Sequence, residues 1–377
     1  MLAIKNATLV MLDHYIPDAT LLLDNGEIVD FGKKINIPAD AEVIDAEGNY
    51  VGPGLIEIHT HAAGQYRFRE NAKKCEEWPF LHGVTSVMPA LYFKMNTEEY
   101  LDAMRRIDTA VDAGEFRNFA GYYMEGPYLN PNYGSNKQNN PWRGDIKKEE
   151  FAPIVDMAGE RAKVWAVAPE RENILEFVKY AKSVNPTAVF AVGHSEAAPE
   201  MTEELMPYGL KLGTHHTNAT GTLETFPECR GACVDETVNY NNDIYAELIC
   251  DSIGVHVHPY NLRLISQIKG KERIILIADA DLPEGPPIPG CEDAHDLIFD
   301  FHGDIAGTQL TLDVSCRNMM MHTGCSICDA FRYASANPAK AVGFSKLGRI
   351  KKGNTANIII VDDKFNVKKT IFEGQIV

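Results

Sequence analysis

The sequence predicts an α/β protein, a closed (β/α)8 barrel of the TIM type carrying a small β-sandwich assembled from both chain termini. Three observations lead there. Apolar runs of strand length recur eight times through the middle of the chain, at residues 54–59, 84–90, 119–125, 163–168, 188–194, 211–215, 248–255 and 273–279. Helix-like segments lie between several of them, and repeated β-then-α units wind with one hand into a parallel barrel. The two ends of the chain read as strands instead, and sets of strands too small to stand alone can pair into one sheet.

Taken in order, residues 3–11, 19–24 and 26–31 are rich in β-formers, with Asn25-Gly26 as a turn between two of them. After the second barrel run, residues 97–113 place Tyr100, Met104, Ile107 and Val111 at helical spacing. A helix over 173–182 follows the fourth run, and one over 259–269 follows the seventh, with Pro259 at its first turn. Helices over 326–335 and 338–344 follow the eighth. Residues 126–145 and 285–296 are loops rich in Asn, Pro and Gly, long enough for a lid or an interface arm. Strands resume at 357–361 and 367–372. The expected division is therefore residues 1–50 plus 346–377 for the β-unit and 51–345 for the barrel. An open doubly wound sheet is the alternative fold.

Composition narrows the partners. The 377 residues are 45% hydrophobic and 24% charged, as an ordinary globular core requires. A net charge of −17 disfavours nucleic acid and anionic membrane surfaces, both of which need basic patches. Asp13 and Asp18 interrupt the first apolar stretch, so no secretory or membrane-spanning signature is present. The eight cysteines are scattered, Cys325-x-x-Cys328 has no second CxxC to accompany it, and free thiols in a cytoplasmic protein are the expectation.

The ends of the runs carry the chemistry. Run one closes on His59-x-His61, run three on Glu125, runs five and six on His194 and His215, and run eight on Asp279. Each of these side chains binds metals or moves protons, and a barrel gathers its strand ends at one mouth. One such run would mean little. Five in order point to a metal-dependent hydrolase, because only a closed barrel brings ligands from so many strands together. Residues two apart on a strand share a face, so His59 and His61 can both point inward. Asp279 is the candidate general base and acid: a carboxylate near a metal-bound water can accept its proton and return it to a leaving amine. Asp281 is its nearest competitor. His256 could donate to a substrate oxygen, with His258 as rival and a structural role as the alternative. His216 and His82 read as bystanders.

These motifs resemble the amidohydrolase superfamily and, within it, the N-acetylglucosamine-6-phosphate deacetylases. The resemblance runs through Pro53-Gly54-Leu55-Ile56-Glu57-Ile58-His59-Thr60-His61, Glu125-Gly126-Pro127-Tyr128-Leu129-Asn130-Pro131, Gly193-His194-Ser195 and Thr214-His215 with Asn218-Ala219. It continues in Gly254-Val255-His256-Val257, Ala278-Asp279-Ala280, Ala336-Asn337-Pro338-Ala339 and Leu347-Gly348-Arg349-Ile350. It implies that Glu125, His194 and His215 bind one divalent metal, that His59 and His61 add a second site, and that Asp279 is the acid/base. It also implies that Asn218, Ala219 and His256 touch the sugar, and that the enzyme is a homodimer. Zinc is the expected ion, with iron, manganese or cobalt as alternatives.

Departures from that family bear on specificity. Asn136 stands where the family has a loop histidine, Asn218-Ala219 is followed by Thr220, and residues 221–229 lack the arginine that in the family reaches a neighbouring subunit's substrate phosphate, leaving Arg230 as a displaced substitute; Asn136 and Arg230 are the candidate substrate contacts at these two places. The expected substrate is thus an N-acyl amino sugar or related amide, with no preference for the 6-phosphate unless Arg67, Arg69, Lys137, Arg143 or Arg230 reaches the pocket from a loop or from a second subunit. A deaminase of the same superfamily and a non-catalytic paralogue are the competing readings.

Overall fold

The computed structural model describes residues 1–377, the side chain of Glu224 excepted. At the N-terminus, strands β1 (Leu2–Val10), β2 (Tyr15–Asp24), β3 (Glu27–Gly32), β4 (Glu42–Asp45) and β5 (Tyr50–Pro53) precede the barrel. The barrel strands are β6 (Leu55–Thr60), β7 (Val84–Tyr92), β8 (Tyr122–Glu125), β9 (Ala162–Val167), β10 (Val189–Val192), β11 (Leu210–Gly213), β12 (Tyr245–Ile249) and β13 (Ile274–Ile277). The chain closes with β14 (Ile358–Val361), β15 (Val367–Phe372) and β16 (Gln375–Ile376).

Both termini share one sheet, in the order β16-β15-β14-β5-β1-β2-β3, with β4 also on β1. The joint is antiparallel, Ile358 opposite Pro53 and Val361 opposite Tyr50. The sheet curls back on itself: Ile28 N–H donates to the Asn354 carbonyl (2.8 Å) and Ala356 N–H to that of Gly26 (2.8 Å). Two layers therefore face each other across a core containing Ile4, Leu21, Ile28, Ile358, Ile360 and Ile371. Alternation along β14 sends Ile359 and Val361 the other way, into the barrel's outer core with Phe331 and Phe365.

The barrel strands lie side by side in the order β13-β12-β11-β10-β9-β8-β7-β6, and each neighbouring pair is parallel. A core cluster drawn from all eight, including Ile58, Met88, Tyr123, Val164, Ala191, Leu212, Ile249 and Ile275, fills the interior. The alternate residues, among them Leu55, Met124, Trp165, Phe190, Leu248 and Leu276, form the outer core under the helices. Each such side chain, fully buried, contributes about 1.5–3 kcal/mol. Three helices on that outer face match their spacing, α1 (Thr97–Asp112), α2 (Ile174–Val184) and α3 (Pro259–Lys269), and Asn96 with Glu99 closes a capping box on α1. Further on, Ile327–Phe331 and Asn337–Val342 are joined by a π-helical turn, Arg332–Ala336, where two separate helices were expected. No helix is long and apolar enough to cross a membrane. All eight cysteines are free thiols.

Two features of the strands bear on the site. The seventh run was expected over 248–255, but the strand is Tyr245–Ile249. Glu247 breaks the apolar pattern from inside the strand. The apolar residues that follow it belong to a loop, in which the Asp251 carboxylate accepts from the backbone N–H groups of Ile253, Gly254, Val255 and His256. Secondly, among the described residues β6 and β13 share no ladder, and the seam between them is stitched otherwise. Glu57 accepts from His59 N–H with one carboxylate oxygen and from Ala278 N–H with the other, both at 2.9 Å. Above it, Asp279 N–H donates to the His59 carbonyl (2.9 Å) and His61 N–H to that of Ala280 (2.8 Å).

Candidate active site

All six residues expected at the mouth converge there. Glu125, at the end of β8, is the hub. Its Oε1 lies 2.8 Å from His194 Nε2 and 3.4 Å from His215 Nε2, and its Oε2 lies 3.3 Å from His61 Nε2 and 3.9 Å from His59 Nε2. Asp279 Oδ1 is 3.2 Å from His61 Nε2 and 3.6 Å from His59 Nε2. The side chains thus form two trios, His59-His61-Asp279 and Glu125-His194-His215, with the donor atoms of each trio within 4.8 Å of one another. Local backbone aims them. The β6–β7 register slips between Glu57 and Thr60, so Ile56 and Ile58 face the interior below while His59 and His61 face it above. His194 (φ 45°), His215 (φ 29°) and Asp279 (φ 46°) all take left-handed backbone just past their strands, a conformation non-glycine residues adopt at a cost of about 1–3 kcal/mol.

The donor set fits a divalent cation. His194 Nε2 and His215 Nε2 stand 2.9 Å apart and aim at the same spot. Both ring nitrogens of His59 and Nδ1 of His194 are buried without a hydrogen-bond partner. Burial opposes charge throughout, but other contacts outweigh it at several groups. Four histidines hold the Glu125 carboxyl well below the usual carboxylate range, and His61 and His59 do the same for Asp279. Glu125, Glu247 and Asp279 carry His59 well above an ordinary histidine, and Asp279 and Glu125 raise His61 to about 9. The cluster favours added positive charge, as a site for a divalent ion requires.

Around the trios, a cavity is lined by Tyr92, Phe93, Lys94, Gly134, Ser135, Asn218, Ala219, His256, Asp281 and Glu284 as well as the cluster itself. Asn218 has its side-chain amide nitrogen buried and unpartnered, and its backbone carbonyl lies 3.2 Å from His215 Nδ1. His256 is oriented by Asp251, whose Oδ2 is 3.3 Å from Nδ1. Two expected substrate contacts do not reach the cavity of their own chain. Asn136 turns its amide to Glu284 (2.8 Å) and its backbone N–H to Asp300 (3.0 Å), because the 126–145 loop is pinned across the mouth there. Arg230 sits on the exposed hairpin Glu224–Phe226/Cys229–Arg230 and pairs with Glu236 of its own chain (2.9 Å). Neither lines the cavity among the described residues.

The sequence reading missed two charged groups. Glu247, fully buried in β12, holds Oε2 3.6 Å from His59 Nδ1 and accepts from Tyr123 Oη (3.1 Å). Tyr123 in turn stacks on His59 at 4.2 Å and lies 2.8 Å from Thr214 Oγ1. The signal was a lone carboxylate inside an otherwise apolar run. Lys94, just past β7, is the second.

A closed parallel barrel with its polar cluster at the carboxyl ends of the strands defines the class, a barrel enzyme. The chain belongs to the amidohydrolase family, whose sequence pattern matches residues 50–377, and is thereby a hydrolase of carbon–nitrogen bonds. It is 26% identical to an N-acetylgalactosamine-6-phosphate deacetylase of Escherichia coli O157:H7, over 90% of each chain. It is 25% identical to an N-acetylglucosamine-6-phosphate deacetylase of Lysinibacillus sphaericus, covering 100% of this chain and 97% of that one. The fold is that of the crystal structure of N-acetylglucosamine-6-phosphate deacetylase from Pasteurella multocida, with a TM-score of 0.85 at 23% identity over 100% and 99% of the two chains.

Proposed function

We propose that this chain is a metal-dependent deacetylase of an N-acetylated amino sugar or a closely related N-acyl compound. The observation that carries the reading is the Glu125 carboxylate, which turns one oxygen to His194 and His215 and the other to His59 and His61. Glu125, His194 and His215 would hold one divalent ion, zinc being the first choice, and His59 and His61 a second, with Asp279 beside them. When bound, such an ion lowers the pKa of water and polarises the acyl oxygen.

Asp279 is the acid/base. As an ionised carboxylate it takes a proton from the attacking water while the new C–O bond forms. It returns that proton to the sugar nitrogen as the C–N bond breaks, releasing acetate and the free amine. His256, held by Asp251, donates to a substrate oxygen, and Asn218 and Ala219 hold the sugar from the same side of the mouth. None of the five basic residues that could restore a 6-phosphate site lines the cavity of its own chain among the described residues, so a site built from them would have to be completed by a loop movement or by a second subunit. A homodimer is supported by the exposed apolar face of α3, Tyr260, Leu264 and Ile268. The test is elemental analysis of the purified protein together with turnover of N-acetyl sugars with and without phosphate. Metal-loaded protein that releases acetate from none of them overturns the reading.

A further inference from the structure

Lys94 is the only lysine or arginine lining the cavity among the described residues. Its Nζ makes one hydrogen bond, to Ser135 Oγ at 3.3 Å, and lies 5.2 Å from the centre of the Tyr92 ring. Among the described residues it has no ion pair. Carboxylates do face it, namely Glu284, Asp281, Glu125 and Asp300, but each is already committed. Asp281 accepts from Arg67 at 2.6 Å, and Glu284 takes Arg67 (3.5 Å) on one oxygen and Asn136 (2.8 Å) on the other. Asp300 accepts from the backbone N–H groups of Asn136, His302 and Asp304. Glu125 is surrounded by four histidines.

The other basic residues near the mouth are spent in the same way. Arg67 holds Asp281 and Glu284, Arg69 pairs with Glu70 at 3.5 Å and lies over Tyr92 at 5.0 Å, and Arg143 donates to the Lys137 carbonyl. An ammonium with two free donors, half-withdrawn from water and without a direct ion pair, can take a further acceptor. Burial accordingly holds the Lys94 ammonium below the usual lysine range, even though the neighbouring acids favour its charge. An anion entering the cavity would supply the missing partner.

Barrel geometry says which end of a ligand meets it. Lys94 follows the second barrel strand, and Asn218 and Ala219 follow the sixth, four places on in a ring of eight that nearly closes. The two walls therefore oppose one another across the metal cluster, and a ligand held by Asn218 at one end presents its other end to Lys94 and Ser135.

We propose that Lys94 is the specificity-determining residue of this site, its ammonium binding an anionic group at the end of the N-acyl substrate remote from Asn218 and Ala219. This rests on the deacetylase reading for the word "substrate" but not for the binding itself, and the experiment separates the two. The probes are N-acetylglucosamine, its 1-phosphate and its 6-phosphate, its 3-O-lactyl ether, and N-succinylglucosamine, so that the anion is carried at four different positions. Binding is measured by calorimetry on metal-loaded Asp279→Asn protein, with and without Lys94→Met or Lys94→Arg, and kcat/KM is measured on the same series with Asp279 intact.

The expected result is that at least one anionic probe exceeds the neutral sugar by about 10- to 100-fold, the scale of one charge-assisted contact. That ratio should collapse in Lys94→Met and be partly kept in Lys94→Arg. Reading the ratio removes any general loss of fold or metal from the comparison. Binding with this pattern but without acetate or succinate release leaves Lys94 in its role and removes the deacetylase reading. Release from the neutral sugar with no anion preferred, an anion preference that survives Lys94→Met, or failure of every anionic probe to bind, each overturns the proposal.

Discussion

The two trios of the mouth are built on different principles. His59 is packed from behind by side chains: Glu247 at an ion-pair distance of 3.6 Å from Nδ1, Tyr123 across its face, and Glu57 on its backbone N–H. The other trio is aimed largely by backbone. His194 and His215 hold left-handed φ angles, His215 Nδ1 meets the Asn218 carbonyl, and His194 Nδ1 has no partner at all. The histidines of one half are thus preset by buried carboxylates, although Asp279 beside them shares the left-handed backbone, and those of the other by local backbone strain that only a well-packed barrel can sustain. Glu125 belongs to the second trio and touches the first through its other oxygen, which makes it the point where the halves can be separated or lost together.

Removing that hub should have the largest effect. Glu125→Gln is expected to strip metal from both trios and lower turnover at least about 10³-fold, since a catalytic cation supplies several kcal/mol. His61→Asn should by contrast leave the Glu125-His194-His215 ion bound, and elemental analysis showing no metal in that variant would erase the distinction between the halves. Next, Asp279→Asn is expected to keep the fold and most of the metal while losing at least about 10²-fold in turnover. Near-normal rates on whichever amide is hydrolysed would rule out its acid/base role.

Smaller effects probe the supports. Glu247→Gln should weaken metal at the His59-His61 side by about 10- to 100-fold and leave the other side untouched, as measured by competition with a chelator. Equal losses on both sides would mean that Glu247 stabilises the barrel generally. Gly134→Ala addresses the opposite half: a Cβ there would sit 2.8 Å from His194 Nδ1 and 2.8 Å from Phe93 Cζ, at a φ of +91°. About 1–3 kcal/mol of stability should be lost in denaturant unfolding, and metal at the His194 side should loosen. An unchanged unfolding midpoint would show that the loop yields freely.

What the sequence disclosed follows the same division. The six residues of the trios were legible because each closes a buried apolar run, and the strands that carry them were placed to within a few residues. Glu247 and Lys94 were not legible. Glu247 looks like the end of hydrophobicity when it is a carboxylate paired inside the strand, and reading it so displaced strand seven toward Val255. Lys94 follows a run that closes on no metal-type residue, and only the commitment of its neighbours to other partners singles it out. Asn136 and Arg230 were expected at the substrate by resemblance alone; in this chain Asn136 is held by Glu284 and Asp300, and Arg230 pairs with Glu236 on an exposed hairpin away from its own cavity.

The sheet shared by the chain ends has a consequence for synthesis on the ribosome. Strand β5 emerges early, yet the strand that pairs with its free edge, β14, is translated about 300 residues later, some 15–60 s at ordinary elongation rates. Throughout that interval the first strands present an unpaired edge and half of an isoleucine-rich core, the condition under which nascent chains associate with one another. Yield of the folded enzyme in cells should therefore depend on chaperone supply and translation speed more than on the stability of the finished barrel.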